Sequence, residues 1–375
     1  MTVAAKLSGV IVVIGAGPAG LASAAMLRQT GRDVVVFERG AVGEAWTKRY
    51  DRLQLHTVRW LSGLPGYPMP SSFGKWPRHE RVLEYLQRYA GHHALDVRSG
   101  VEAKRVVRGG PNWVVETSHG ELAAERVVVA TGHSNVPFVP DWPGEFAGDI
   151  VHSAGYRNPL PYAGHRVLVV GSGNSGAEIA VDLVEGGAGE VSLAVRTPPS
   201  IVPRDTLGVP SQLLGIATAH LPVPVVDFTA RTIRRARFPD LSAQGLPAPE
   251  RPYSDFLRRR VLPILDVGLA DAVHQGRVRV HPALERFENG CALFADGRSA
   301  PVDAVVAATG FRAALEPLVG HLGVLDEHGE PVVHGAREHP AAPRLHFVGY
   351  EITLGGLLRQ VGIQARQLAE AVTAT

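Results

Sequence analysis

One cysteine, Cys291, is all that this chain of 375 residues carries. An internal disulfide is excluded, and with it any chemistry that passes electrons through a neighbouring pair of thiols. Cysteine used so sparingly suits a reducing interior, and a cytoplasmic location is expected. No uninterrupted apolar run approaches the ~20 residues of a membrane helix. The apolar opening over residues 10–27 is broken by Gly15, Gly17 and Gly20 and has no cleavage signature after it. Strand, turn and helix explain it better than a secretory signal. Charge of one sign is scarce too: the net charge is +2, and the densest basic stretches are Arg231 to Arg237 and Arg258-Arg259-Arg260. Without a row of stacking aromatics beside them they read as solvated helix faces, which argues against nucleic-acid or membrane partners. No metal site is expected.

What the chain does have is an ordinary globular composition, 45% apolar and 20% charged, with length enough for two domains. It also has two glycine-rich fingerprints. The first, Gly15-Ala16-Gly17-Pro18-Ala19-Gly20, follows an apolar strand over residues 10–14; the second, Gly171-Ser172-Gly173-Asn174-Ser175-Gly176, follows residues 167–170. In such a loop the first glycine permits a tight turn, the second lets a pyrophosphate approach the backbone, and the third lets the helix pack on the strand. Free N–H groups and the partial positive charge of the helix N-terminus then face the phosphates. About twenty residues beyond each loop the units differ: Glu38 stands in the first and Arg196 in the second. A carboxylate accepts hydrogen bonds from a ribose 2′-hydroxyl, whereas a guanidinium suits a 2′-phosphate. Arg204 is a possible assistant to Arg196. The pairing points to a flavin dinucleotide reduced by NADPH.

Periodicity predicts a helix over 18–30, a strand over 33–38, an irregular stretch over 41–78 and a helix over 81–90. Strands are expected near 101–107, 113–117 and 126–130, the last running into Ala130-Thr131-Gly132. The second βαβ unit starts at Arg166, with a helix over 174–185 and a strand over 190–196. The proline-rich residues 197–255 read as an inserted set of short helices and loops. Regular structure resumes near Arg277, a strand over 302–308 ends in Ala308-Thr309-Gly310, and a last helix begins at Gly355 or Gly356. The expected fold is α/β with two Rossmann-like domains, one interrupting the other. Residues 1–160 plus 301–375 would bind FAD, and residues 161–300 would bind NADPH.

Between the units lies Phe146-Ala147-Gly148-Asp149-Ile150-Val151-His152-Ser153-Ala154-Gly155-Tyr156, which fits the pattern FxGxxxHxxxY in full. Read alone it is a connector with one imidazole and one phenol. With both fingerprints flanking it, the chain resembles the class B flavin-dependent monooxygenases, and most of all the YUCCA-type enzymes and their bacterial relatives. The likeness rests also on Phe37-Glu38-Arg39, on Tyr50-Asp51-Arg52-Leu53-Gln54-Leu55-His56-Thr57, on Val195-Arg196, on Val202-Pro203-Arg204-Asp205 and on Ala308-Thr309-Gly310-Phe311.

The resemblance implies that NADPH reduces FAD, that O₂ then forms a C4a-(hydro)peroxyflavin, and that retained NADP⁺ shields it. A dry pocket matters more for this than an acid–base pair, so the lack of a triad is no objection. By the same resemblance Gly15, Gly17, Pro18, Ala19, Gly20, Glu38, Arg39, Thr131 and Gly132 would serve FAD, with Trp46, His56 and Thr57 against the flavin ring. Gly171, Ser172, Gly173, Asn174, Ser175, Gly176, Arg196, Arg204, Thr309 and Gly310 would serve NADPH and the crossing between domains. Gly355, Gly356 and Leu357 would turn a helix N-terminus toward the flavin pyrimidine, a contribution of ~0.3–1 kcal/mol. His56, His152 and Tyr156 are the candidate catalytic residues; His152 and Tyr156 also suit a purely supporting role.

Tyr156 stands where Baeyer–Villiger members usually carry tryptophan. The resemblance therefore favours N- or S-oxygenation, or oxidative decarboxylation of an arylpyruvate; the insertion over 197–255, rich in proline and leucine rather than densely charged, suggests a small apolar or aromatic substrate. Arg204 or His220 could meet a substrate carboxylate, although a surface position suits each. Baeyer–Villiger oxygenation and an NADPH-dependent flavin reductase serving a partner or a quinone are the alternatives, and a homodimer is left open.

Overall fold

The computed structural model describes residues 9–218, 221–249, 252, 254 and 262–374. His220 and Arg258-Arg259-Arg260 lie outside the described residues. Contacts divide the chain into two units: residues 1–48, 57–136 and 311–375 in the first, and residues 49–56 and 137–310 in the second.

The first unit is built on a five-stranded parallel sheet. Its strand order is Leu345–Phe347, Arg126–Val129, Ile11–Ile14, Val34–Glu38, Asp96–Ser99. Ile11–Ile14 is central and wholly buried, as the unbroken apolar run requires of a strand covered on both faces. The chain leaves it through the glycine turn into helix Pro18–Gln29, whose buried side is mainly alanine and leucine. Small side chains let that helix lie close to helix Leu357–Thr373, which returns at the end of the chain. An antiparallel meander, Ala103–Gly109, Asn112–Thr117 and Gly120–Ala124, precedes strand Arg126–Val129. Residues 41–48 and 57–78, the parts of the long loop that belong to this unit, hold three single 3₁₀ turns and otherwise irregular chain. They are tied down by Tyr85, whose hydroxyl accepts from the Leu64 amide at 2.6 Å, and by Tyr89, whose hydroxyl donates to the Pro65 carbonyl at 2.8 Å.

The second unit repeats the plan. Its parallel sheet runs Val278–His281, Glu190–Ala194, Arg166–Val170, Ala304–Ala307, Asp149–His152. Arg166–Val170 is central, and helix Asn174–Glu185 follows its glycine turn. Again an antiparallel meander, Leu284–Glu288, Cys291–Phe294 and Ser299–Pro301, precedes the strand on the other side of the centre. The connector supplies an edge strand, Asp149–His152, beside Ala304–Ala307. Contacts accordingly turn at 137 and 310, against boundaries expected near 160 and 301.

The insertion is more ordered than its prolines suggest. It contains a fifteen-residue helix, Val223–Arg237, and a shorter one, Ser211–Thr218. It also contains a strand, Ile201–Pro203, that pairs in parallel with Ile264–Asp266. Three residues are too few to reveal a period, so only the tertiary pairing shows that strand. Among the described residues no helix is long and apolar enough to cross a membrane.

Candidate active site: two glycine cradles and a buried carboxylate

Each glycine of the first loop has a distinct reason to be glycine. Gly15 sits at φ +105°, and a Cβ there would lie 2.6 Å from the Ala130 carbonyl oxygen. A Cβ on Gly20 would lie 1.8 Å from the Gly15 carbonyl oxygen, so helix and turn touch backbone to backbone. Gly17 differs: a Cβ there meets nothing within 4 Å. Its bare face is open at the head of helix Pro18–Gln29, where Pro18 takes the first turn and leaves no orphan N–H of its own. The second loop repeats all three conditions. Gly171 is at φ +109° and a Cβ would lie 2.5 Å from Ala308 O; Gly176 would come 1.9 Å from Gly171 O; Gly173 meets nothing within 4 Å. Openness at the middle glycine, with close packing at the other two, is what a pyrophosphate cradle requires. Both loops fit a dinucleotide.

Around the first cradle, Glu38 ends its strand with Oε2 accepting from the Ala16 amide at 2.7 Å and Oε1 accepting from the Gly40 amide at 2.9 Å. Arg39 is exposed and donates to Asn135 Oδ1 at 2.8 Å. Trp46 ends a 3₁₀ turn, and its carbonyl accepts from His79 Nδ1 at 3.1 Å. The Thr57 hydroxyl is paired with Ser62 Oγ at 2.8 Å. The Thr131 hydroxyl is paired with the buried Tyr350 hydroxyl at 2.8 Å, next to Gly132. Gly356, at φ +91°, caps helix Leu357–Thr373, and its amide donates to Thr353 O at 3.2 Å. Behind that turn sits a set of residues sequence reasoning missed. Gln364 accepts from the Gly349 amide at 3.1 Å and donates to Glu351 Oε2 at 2.8 Å, and Gln360 donates to the same oxygen at 2.6 Å. Two amides at i and i+4 on one helix, holding one carboxylate, brace the loop that leads into Gly355-Gly356.

Around the second cradle, Asn174 is engaged away from the loop: its Nδ2 donates to Pro263 O at 3.2 Å and its Oδ1 accepts from the Leu265 amide at 2.9 Å. Arg196 lies exposed just past strand Glu190–Ala194. Gly310 gives its carbonyl to His152 Nε2 at 2.9 Å and to the Phe138 amide at 3.0 Å, and the Thr309 hydroxyl donates to the Phe138 carbonyl.

His152 also accepts from the Ala154 amide through Nδ1 at 3.0 Å. Both ring nitrogens are therefore spent on backbone, with the proton on Nε2, and burial holds its pKa below the ordinary value. Tyr156 is fully buried among apolar side chains and donates to Asp182 Oδ2 at 2.8 Å. The structure brings both residues into the frame of the second unit.

The unexpected feature is Glu178, on the buried side of helix Asn174–Glu185 and only 4% exposed. The Tyr50 hydroxyl donates to its Oε2 at 2.7 Å, and His56 Nε2 lies 3.2 Å from its Oε1. Burial drives the Glu178 carboxyl up to about 7, against the opposing pull of Tyr50, Arg204 and Arg52. Burial, helped by the positive charge of Arg204, drives His56 down to about 4. Arg204 is half-buried rather than on the surface, donating to Leu55 O at 2.6 Å and to Gln54 Oε1 at 3.3 Å. Arg52 pairs with Glu185 and lies 3.6 Å from Asp182. The stretch 50–56 is thus held by carboxylates of one helix at i, i+4 and i+7. A carboxylate amid Ile179, Ala180 and Leu183 was the one signal available in the sequence.

A family model described as "Pyridine nucleotide-disulphide oxidoreductase" matches residues 12–206. Its disulfide label does not carry over, since Cys291 has no second cysteine to pair with. The chain is 36% identical over 324 residues to the indole-3-pyruvate monooxygenase YUCCA8 of Oryza sativa subsp. japonica, covering 80% of this chain and 76% of that protein. It is 32% identical over 319 residues to the probable indole-3-pyruvate monooxygenase YUCCA3 of Arabidopsis thaliana, covering 80% and 73%. Among solved structures, a flavin-containing monooxygenase from Stenotrophomonas maltophilia superposes with a TM-score of 0.74 at 28% identity, covering 98% of this chain and 99% of that one.

Proposed function

The chain belongs to the class B flavin-dependent monooxygenases, enzymes whose cofactors are FAD and NADPH, and from that premise we propose that it oxidatively decarboxylates a small aromatic 2-oxo acid. The observation that carries this reading is the run of YUCCA-type relatives at 31–36% identity over four-fifths of the chain or more, named for indole-3-pyruvate. The reaction balances as arylpyruvate, O₂, NADPH and a proton giving arylacetate, CO₂, NADP⁺ and water.

Bound FAD supplies the oxygen activation; the chain supplies placement. The open faces of Gly17 and Gly173 admit the two pyrophosphates, and the close contacts at Gly20 and Gly176 hold each helix head where its N–H groups meet them. Glu38 takes the ribose of the first dinucleotide and Arg196 the 2′-phosphate of the second. His152 and Tyr156 hold the connector in shape. His56 acts in the oxygenating site, as an imidazole that burial keeps uncharged at neutral pH.

The test is turnover of indole-3-pyruvate by the FAD-loaded enzyme with NADPH under ¹⁸O₂. One ¹⁸O in the carboxylate of the product, with CO₂ released, is expected. An ester product would replace the reading with a Baeyer–Villiger one. NADPH consumed to peroxide alone, with neither this acid nor an amine or thioether oxygenated, would leave a reductase.

A further inference from the structure

The cluster around Glu178 has a property that its packing role does not use. His56 Nε2 lies 3.2 Å from Glu178 Oε1, whereas its Nδ1 is buried and has no hydrogen-bond partner among the described residues. Glu178 Oε2 accepts from the Tyr50 hydroxyl, and Oε1 is the oxygen that faces the imidazole. A single proton can occupy that 3.2 Å line, on Oε1 or on Nε2.

We propose that Glu178 is a positioning residue for His56, and that gain or loss of one proton by the pair turns the unpartnered Nδ1 of His56 from a donor into an acceptor. With two protons in the pair, Oε1–H donates to Nε2 and the second proton sits on Nδ1. When the pair gives up one proton it leaves from Nδ1, while the Oε1–H bond breaks and Nε2–H forms. Glu178 is then a carboxylate accepting from both Tyr50 and His56. The imidazole stays neutral in both states. The balance is set by the groups that face the pair. Tyr50 and Arg52 come from the 49–56 stretch, Asp182 from Glu178's own helix, and Arg204 from the turn after strand Ile201–Pro203. Ser175 bonds Tyr50 from behind. Tyr50, Arg204 and Arg52 favour the carboxylate; burial and Asp182 favour the acid, and burial, the largest of these, pushes the carboxyl up to about 7. Such a group could deliver or take up a proton in the physiological range with no charged imidazole forming.

The proposal adds a residue to the site assigned above and rests on that reading only for its use in turnover; the position of the proton can be measured without substrate. ¹⁵N-histidine NMR of the FAD-loaded enzyme, with His56 assigned by difference against H56Q, reports which ring nitrogen carries the proton. Wild type should exchange an Nδ1–H for an Nε2–H tautomer with a midpoint near 7 and show no imidazolium above about pH 5. Glu178→Gln should hold one tautomer from pH 6 to 8 (about one unit either side of the midpoint). Tyr50→Phe, which removes the donor to Oε2, should raise the midpoint by about half a unit or more. A His56 that becomes imidazolium near its ordinary 6.5, or a wild-type tautomer that ignores pH, overturns the proposal. So does an unshifted midpoint in Tyr50→Phe, which decides the matter alone should the amide variant not fold. A substrate other than a 2-oxo acid would leave all of these signals in place.

Discussion

Replacing the middle and the last glycine of the first loop by alanine should separate two kinds of damage. Gly17 adopts φ −83° and ψ −173°, ordinary extended backbone, and an added methyl meets nothing within 4 Å. Stripped of FAD, G17A should match wild type in urea unfolding to within about 1 kcal/mol, the range of a glycine-to-alanine change at a permitted conformation. Its loss should appear only with the dinucleotide, because the methyl fills the space a pyrophosphate must enter. A tenfold or greater weakening of FAD, about 1.4 kcal/mol or more, is expected in a flavin titration. G20A should do the reverse. Its methyl would sit 1.8 Å from the Gly15 carbonyl oxygen, and since both partners are backbone no rotamer can relieve it. A loss of about 3 kcal/mol, at the upper end for overpacking, should be visible without any ligand. G17A binding FAD like wild type would refute the cradle, and G20A as stable as wild type would refute the packing argument.

Two further outcomes follow from the second unit. Arg196→Ala should raise the Michaelis constant for NADPH about tenfold or more and leave that for NADH nearly unchanged, since only the former carries a 2′-phosphate; equal changes would remove that assignment. Glu178 has a folded-state pKa raised from 4.5 to about 7, so the stability it contributes is present below 4.5 and is lost as pH rises through 7. Measured as unfolding free energy against E178Q, wild type should lose about 3 kcal/mol across that window. A difference that is flat with pH would show that Glu178 is not buried as described.

What could be read from the amino-acid order was what is local. Both glycine loops, their flanking strands and the helix over 174–185 stood out because each fits within one βαβ unit and its apolar run or period is unbroken. The carboxylate at Glu178 did not, because its partners Tyr50 and His56 come from a stretch more than a hundred residues earlier, and a helix pattern does not say which element it will meet. The start of helix His79–His92 was placed two residues late for a similar reason: His79 is anchored by the Trp46 carbonyl, a contact no propensity encodes. The Gln360–Gln364–Glu351 brace escaped because amides on a helix face read as solvated until the returning loop is seen.

The eight residues 49–56 have a consequence for how this polypeptide can be made and dissected. They leave the ribosome well before the helix whose acids they neutralise, and so must wait, unsatisfied, through more than a hundred further residues of synthesis. The nascent chain cannot complete its parts one after the other, and a clone running from 137 to 310 would carry every strand of the later sheet yet lack Tyr50, Arg52 and His56, the partners of Glu178 and Asp182. Anyone wishing to study the second unit alone must graft that octet back on, at the price of a new linker.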